Sequence, residues 1–214
     1  MATQEQRRTA TTAAIVAAAR GLFVTKGFAA TSVDDIARAA GVAKGGVYHH
    51  FETKERLFEA IFRGIEDELY DVVVRAASAR RRPIEQLVAG TRAFMDRCLD
   101  PEVHRVVLVD GPNVLGWQLW REIDAEHFLP LITASLAAEA GVRAAGRDAE
   151  VTVVAQLLIG AIDEAVMILA SASDPAAEVA AITDGLEVLL RSVSATLRRG
   201  RGSSPANGAS AGAG

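Results

Sequence analysis

Apolar residues recur along most of the chain with the spacing of an α-helix. Over residues 15–23, 57–72 and 179–197 they fall at intervals of three and four positions, which places them on one helix face. Alanine, the residue that most favours helix, is abundant. The pattern predicts an all-α protein. For the run over residues 106–109, a strand and the end of a buried helix are the two interpretations.

Polar caps and glycines divide the first part of the chain into short helices. Gly27 is suited to end the first helix, and Gly41 to end the second. Ser32 begins the second helix, and Asp35 three residues later completes a capping-box pattern. Thr53 then caps the start of a much longer helix.

Later breaks predict further helices and a domain division. Gly111 with Pro112 predicts a turn, and Pro130 is a candidate kink. Helices are predicted over residues 54–79, 84–99, a short segment from 100, 114–139, 148–172 and 176–199. We expect a first domain over residues 1–56, a second over 57–199, and a disordered Gly/Ser/Ala/Pro tail over 200–214.

Charge is distributed unevenly between the two domains. The 214 residues carry a net charge of −4, but residues 1–60 carry +2 and the remainder −6. Such asymmetry is a hint about partners, and the basic excess lies at the front. The single cysteine, Cys98, excludes an intramolecular disulfide. With no secretory signal and no uncharged stretch long enough to span a bilayer, we expect a soluble cytoplasmic protein without a membrane partner.

Residues 31–54 read TSVDDIARAAGVAKGGVYHHFETK, a short helix, a glycine turn and a second short helix. This is the pattern of a helix-turn-helix. The residues left facing outward on the second helix are Lys44, Gly45, Tyr48, His49 and His50. They supply a positive charge, side-chain hydrogen-bonding groups and a backbone that can approach DNA closely. A recognition helix that binds in the major groove needs these properties. Spacing alone leaves open a three-helix unit that never touches DNA.

The same segment resembles the N-terminal DNA-binding domain of the TetR/AcrR family of transcriptional regulators. The resemblance covers about residues 10–60. It is carried by Gly27-Phe28, residues 31–37, Ala40-Gly41-Val42, Lys44-Gly45, residues 47–51 and Lys54-Glu55. It implies an all-α homodimeric repressor without a cofactor, whose partners are a double-stranded DNA operator and a small-molecule effector. An N-terminal three-helix helix-turn-helix domain would precede a larger helical domain for ligand binding and dimerisation.

The resemblance also implies which residues contact DNA. They are Thr31, Ser32, Lys44, Gly45, Gly46, Tyr48, His49, His50 and Lys54. Ala43 replaces the usual capping hydroxyl, and Gly46 replaces a residue that often contacts DNA. Each departure costs the recognition helix roughly 1 kcal/mol. Our hypothesis is that this helix is loose in the free protein and becomes ordered on DNA.

Aromatic residues in the second domain suggest a pocket. Trp117 and Trp120 lie three residues apart in a segment, 105–124, that resembles the regulatory domain of one subgroup. Aromatic and Met side chains suit apolar ligands, although at helical spacing they are more often plain core. The candidate lining residues are Phe62, Ile65, Arg92, Phe94, Met95, Trp117, Trp120, Phe128, Asp163 and Met167. If buried, Asp163 needs a partner, either Arg92, Arg121 or a ligand group; otherwise it faces solvent.

The last two helices are candidates for a dimer interface. Residues 151–169 are apolar on nearly every side, so this helix must be covered on several faces. In the family, the last two helices of each subunit pair into a four-helix interface. The predicted interface residues are Leu158, Ile162, Val166, Leu186, Leu189, Leu190 and Val193. Two-fold symmetry then predicts a palindromic operator with half-site centres about 34–36 Å apart, or a multiple.

These observations favour a ligand-responsive transcriptional regulator, a repressor that a small, largely apolar effector releases from DNA. The alternative is a ligand-independent helix-turn-helix protein, DNA-binding or co-regulatory, with a filled sensor domain. An enzyme is not expected. The sequence has no nucleophile elbow, phosphate-cradling loop, metal-ligand spacing or recognisable carboxylate pair, so no catalytic or metal residue is predicted.

Overall fold

The computed structural model describes residues 3–141 and 148–199 of the protein, and within these ranges it contains helices and no strand. The first domain holds three helices, α1 (Gln4–Lys26), α2 (Val33–Ala40) and α3 (Lys44–His50). The helices that follow are α4 (Lys54–Ser78), α5 (Pro83–Arg97), a π-helix (Val103–Asp110), α6 (Gly111–Leu115), α7 (Trp117–Ala140), α8 (Asp148–Ser171) and α9 (Pro175–Arg199). The predicted all-α fold is confirmed.

The predicted helix boundaries of the first domain are confirmed in detail. The Ser32 hydroxyl oxygen accepts a hydrogen bond from the Asp35 backbone N–H at 3.1 Å. The Asp35 carboxylate in turn accepts one from the Ser32 backbone N–H. Gly41 ends α2 with a φ of +68°, the left-handed conformation that glycine adopts without strain. The Thr53 hydroxyl accepts the Arg56 backbone N–H at 3.1 Å and starts α4.

After Cys98, the helical interpretation of residues 106–109 is confirmed and one predicted turn is wrong. Residues 106–109 lie within the π-helix and are not a strand. The turn predicted at Gly111 and Pro112 is absent, because the chain continues directly into α6 and proline is tolerated in a first helical turn. The break falls at Gly116, where φ is +81°. The tail over 200–214 lies outside the described residues.

One continuous apolar core joins the two domains through α4. At its start, Phe58 packs edge-on against Phe23 of α1, with 5.5 Å between ring centroids. Further along, Phe62, Ile65 and Leu69 are buried within the second domain. The helix that begins beside the recognition helix therefore reaches the centre of the larger domain.

Length and composition alone would allow α8 to cross a membrane. The uncharged run before Asp163 is too short to span a bilayer, so no such helix was expected from the sequence. In the structure, Val151, Leu158 and Leu169 of α8 are buried in the protein's own core, and α7, α9 and the π-helix pack against it. Core burial accounts for the apolar character of this part of the helix.

Candidate nucleic-acid interface and effector cavity

The recognition helix α3 presents a narrow exposed face. Val47 points inward and is 2% exposed, whereas Tyr48 is 46% exposed. Lys44, Gly45 and His49 are also exposed. Ala43 makes no side-chain cap, as its apolar side chain predicts. Four of the predicted contacts on this helix are thus accessible. Gly46 and His50 are partly buried, and Gly46 lies next to the Val42 side chain.

Lys44 already has a partner on this surface. Its ammonium lies 2.8 Å from the Asp34 carboxylate of α2, and this hydrogen bond raises the pKa of Lys44. Both side chains are more than half exposed. An exposed ion pair contributes little stability. Lys44 therefore stays charged and can exchange Asp34 for a phosphate at little cost.

Thr31 differs from its predicted role as a phosphate contact. It is 1% exposed, and its hydroxyl donates to the Gly27 carbonyl at 2.8 Å. The Thr31 hydroxyl is therefore bonded within the domain in this structure, and its contact with phosphate stays a prediction. Ser32, its neighbour, is exposed at the start of α2 and uses its hydroxyl as the helix cap.

Two further predicted contacts are held by the protein's own atoms. The Lys54 ammonium donates to the carbonyls of Phe28 and Thr31, each at 2.9 Å, and lies 4.0 Å from the Phe28 ring centroid. His50 Nδ1 lies 2.9 Å from the Thr12 hydroxyl of α1. These side chains brace α3 and α4 against the preceding helix and loop.

Polar contacts also connect the first domain to the second. The Arg20 guanidinium of α1 pairs with Glu68 of α4 and with Glu102 beside the π-helix, both at 2.6 Å. The Phe28 backbone N–H donates to Asp110 at 2.8 Å. At Gly27, where φ is +79°, a side chain would collide with the Arg105 guanidinium. The π-helix therefore lies directly against the loop that precedes α2.

An apolar cavity of about 230 Å³ lies in the second domain between α4, α5, α7 and α8. Small side chains on α4 and α5 leave this space open. The lining residues are Val73, Val74, Ala77, Ser78, Gln86, Leu87, Gly90, Thr91, Phe94, Asp124, Phe128, Leu131, Ile132, Ser135, Ile159 and Ile162. Phe94 and Phe128 were predicted as lining residues, and their ring centroids lie 5.3 Å apart.

The other predicted pocket residues do not line this cavity. Four of them are buried in the core, which satisfies apolar side chains equally well: Phe62, Ile65, Met95 and Trp120. Met167 is partly buried against that core. Trp117 is 45% exposed, stacks on Trp120, and borders a shallow groove elsewhere. Arg92 is exposed and pairs with Asp184 and Glu187 of α9.

Asp163 has one of its two predicted partners. It is 4% exposed, and Arg121 lies 3.0 Å from its carboxylate. Burial raises the pKa of Asp163 to about 6, while Arg121 opposes that shift. Asp124, in the cavity wall, shares a hydrogen bond with Asp163, and burial raises its pKa to about 8. Burial likewise raises the pKa of nearby Glu66 well above its usual value.

The outer faces of α8 and α9 carry exposed apolar side chains, but most of these are not the residues predicted for the interface. The exposed side chains are Val153, Leu157, Ile168, Val188 and Leu189. Of the predicted residues only Leu189 is among them. Leu158, Val166, Leu186 and Leu190 are buried in the protomer's own core, and Ile162 and Val193 are partly buried. A helix that is apolar all round does not reveal which side faces inward.

Two family models match parts of this chain. Residues 15–61 match the family model for bacterial regulatory proteins of the tetR family. Residues 84–193, half of the chain, match the model for the tetracyclin repressor-like C-terminal domain. The chain belongs to the TetR family of transcriptional regulators. It is therefore a DNA-binding regulator and not an enzyme.

Relatives of this TetR-family protein agree with that assignment. The transcriptional repressor KstR2 of Rhodococcus jostii is 40% identical over 78 residues, 35% of this chain and 38% of that protein. The TetC protein of transposon Tn10 from Escherichia coli is 26% identical over 131 residues, 61% of this chain and 66% of that protein. The chain thus spans less than two thirds of the length of these relatives.

A solved structure agrees over almost the whole length. A TetR-family regulator from Pectobacterium atrosepticum is 27% identical, with a TM-score of 0.75, over 90% of this chain and 97% of that one. The RolR structure in complex with resorcinol has a TM-score of 0.64 at 16% identity, over 92% and 97% of the two chains, which shows the fold alone.

Most of the cavity wall in this TetR-family chain was not predicted from the sequence. Gly90 and Ala77 contribute by the absence of a large side chain, and an absence leaves no mark in a hydrophobic pattern. One signal was available. Asp124 and Glu66 lie on helices with apolar inward faces, so their burial could have been suspected in the same way as that of Asp163.

Proposed function

We propose that this TetR-family regulator binds a palindromic operator as a homodimer and represses transcription until a small, largely apolar effector releases it. The cytoplasm is the compartment where such a regulator meets DNA. The apolar cavity in the second domain carries the proposal, because it is large enough for a small molecule and touches α4. A ligand-independent regulator would not need this space.

The path of α4 supports a mechanical link. Its first residue, Lys54, holds the loop before α2, and Val73, Val74 and Ala77 near its end line the cavity. A ligand changes DNA affinity only as far as it binds the two conformations unequally. An effector that favours a shifted α4 would alter the separation of the two recognition helices and their match to successive major grooves.

The exposed face of α3 supports sequence reading by Lys44, Tyr48 and His49, and Gly45 permits close approach of the backbone. Base-edge contacts supply specificity, and Lys contacts to phosphate supply salt-dependent affinity. Ser32 at the start of α2 adds backbone N–H groups suited to a phosphate. The exposed apolar faces of α8 and α9 support a dimer, since burial between two subunits removes them from water.

Genomic footprinting followed by operator binding tests the proposal. We expect one palindromic site per dimer, and we expect Tyr48→Ala to abolish specific binding while leaving the dimer and its thermal stability intact. Leu99→Ala is the matched control, because Leu99 is an exposed apolar residue outside α3. Unchanged operator affinity in Tyr48→Ala would show that α3 does not read DNA.

A further inference from the structure

The wall of the cavity carries one acidic side chain among the described residues that line it. Asp124 of α7 is 6% exposed and lies among apolar residues of α4, α5 and α8. The other polar lining side chains are the uncharged Ser78, Gln86, Thr91 and Ser135. A carboxyl group is costly to place here unless something interacts with it.

Two more carboxyl groups face Asp124 from neighbouring helices. Glu66 comes from α4 and is 1% exposed, and Asp163 comes from α8. One oxygen of Glu66, Oε2, is buried without a hydrogen-bond partner. The other titratable groups close to this cluster are Arg121, paired with Asp163, the Asp67 carboxylate near Glu66, and the Cys98 thiol, which also lies near Arg97. Within the cluster of Glu66, Asp124 and Asp163, Arg121 is the guanidinium that forms an ion pair.

Protonation compensates for the shortage of positive charge in this cluster. Burial raises the pKa of Asp124 to about 8, so Asp124 holds a proton near neutral pH, and burial shifts the pKa of Glu66 in the same direction. The hydrogen bond between Asp124 and Asp163 occupies the proton of Asp124. Asp124 therefore offers the cavity an acceptor, and Glu66 holds a second oxygen that no protein group satisfies.

We propose that the effector has an apolar body and a protonated amine, with the amine donating to Asp124 and the Glu66 carboxyl supporting it from behind. This inference rests on the proposed function, because it takes the cavity as the effector site. An anionic effector would depend on Asp124 and Glu66 keeping their protons, and it would be repelled as these carboxyl groups ionise. Within the described ranges, no group of three or more His, Cys, Asp and Glu side chains is placed to hold a metal ion.

A bound ammonium group would replace protons on the carboxyl groups of this cluster, so its affinity should depend on pH. An alkyl amine keeps its own proton up to about pH 10, so its affinity should rise with pH as the carboxyl groups ionise. A neutral ligand that accepts a hydrogen bond from a protonated acid should show the opposite trend. Proton release on binding is the direct calorimetric measure.

The test uses the full-length protein and three matched probes, 2-(1-naphthyl)ethylamine, the corresponding alcohol and 1-naphthylacetate. We expect the amine to bind about tenfold or more tightly than the alcohol, and its affinity to rise about fivefold or more between about pH 6 and pH 8. In Asp124→Asn, the amine preference and the pH dependence should both be lost while the alcohol still binds.

Two variants keep the result interpretable. Glu66→Gln changes the carboxyl group behind Asp124, and we expect it to reduce the amine preference even if Asp124→Asn folds poorly. Asp71→Asn is the control, because it makes the same change at an exposed residue of α4. Equal or tighter binding of the alcohol or the carboxylate would overturn the inference while leaving the proposed effector cavity standing. Failure of all three probes to bind would count against both.

Discussion

The backbone N–H of Phe28 donates a hydrogen bond to the carboxylate of Asp110, across 2.8 Å and across the boundary between the two domains. The same carboxylate accepts from Arg105 at 3.3 Å. Phe28 lies in the loop between α1 and α2, and Asp110 ends the π-helix. Single π-turns are frequent at functional sites, and this π-helix contacts α1, α4 and α8.

Removing this carboxylate should destabilise the protein and weaken communication between the domains. In Asp110→Ala the part-buried N–H of Phe28 loses its acceptor, which costs about 1–3 kcal/mol. We expect a lower unfolding free energy in urea and a smaller effector-induced change in operator affinity. Asp71→Ala, on an exposed face of α4, is the control. Wild-type stability and wild-type release from DNA in Asp110→Ala would argue against the contact as a link.

Lys54 should prove to be a brace more than a DNA contact. Lys54→Met removes two hydrogen bonds to the carbonyls of Phe28 and Thr31 and a cation–π contact with the Phe28 ring. Charge-assisted bonds of this kind contribute about 1.5–3 kcal/mol each in favourable settings. We expect a loss of at least about 1 kcal/mol in unfolding free energy, with the salt dependence of operator binding unchanged.

Lys26→Met is the control for this variant. Lys26 is an exposed residue in the last turn of α1, so the same change there should leave stability near wild type. A salt slope that falls by about one unit in Lys54→Met would indicate a lost phosphate contact instead. In that case the ammonium must leave its two carbonyl partners when DNA binds.

The sequence was most informative where local chemistry determines structure. The caps by Ser32 and Thr53 and the left-handed Gly41 each follow from one residue type in one place, so they were predictable. The inward phase of α8 was not predictable, because a leucine at 157 and a leucine at 158 look equivalent in an apolar run. The cavity depends on which small residues of α4 and α5 meet, a tertiary relationship.

The exposed phase of α8 and α9 leads to a test of the dimer. Leu157 and Val188 are 69% and 67% exposed in the protomer, the largest values among its exposed large apolar residues. A glutamate at either position would place a charge in the proposed interface, at a cost of about 3 kcal/mol or more, equivalent to roughly 100-fold in dissociation constant. We expect sedimentation to show monomers in Leu157→Glu and Val188→Glu.

Leu99→Glu provides the matched control, since Leu99 is an exposed leucine outside α8 and α9. It should remain dimeric, and all three variants should keep their helical circular dichroism, because the changed side chains are exposed in the protomer. Dimers that persist at micromolar concentrations in both α8 and α9 variants would place the interface on another surface.

The uncapped start of α3 gives a test of whether the recognition helix orders on DNA. Ala43 lacks a capping bond, and Gly46 has an open position where an added methyl group would meet only the Val42 side chain, at 3.7 Å. Ala43→Ser and Gly46→Ala should each stabilise the helix by about 1 kcal/mol. If the helix is loose when free, hydrogen exchange at residues 44–50 should slow on operator binding in the wild type. In Ala43→Ser, exchange at these residues should already be slower without DNA.

Ala43→Ser should also bind the operator more tightly, because less ordering is left to occur on binding. Gly45→Ala is a less suitable probe, because Gly45 lies on the face proposed to approach the bases. Amides of α3 that are already strongly protected in the free wild-type protein would show a preformed helix, and the two missing stabilising groups would then be offset by packing of the buried Val47.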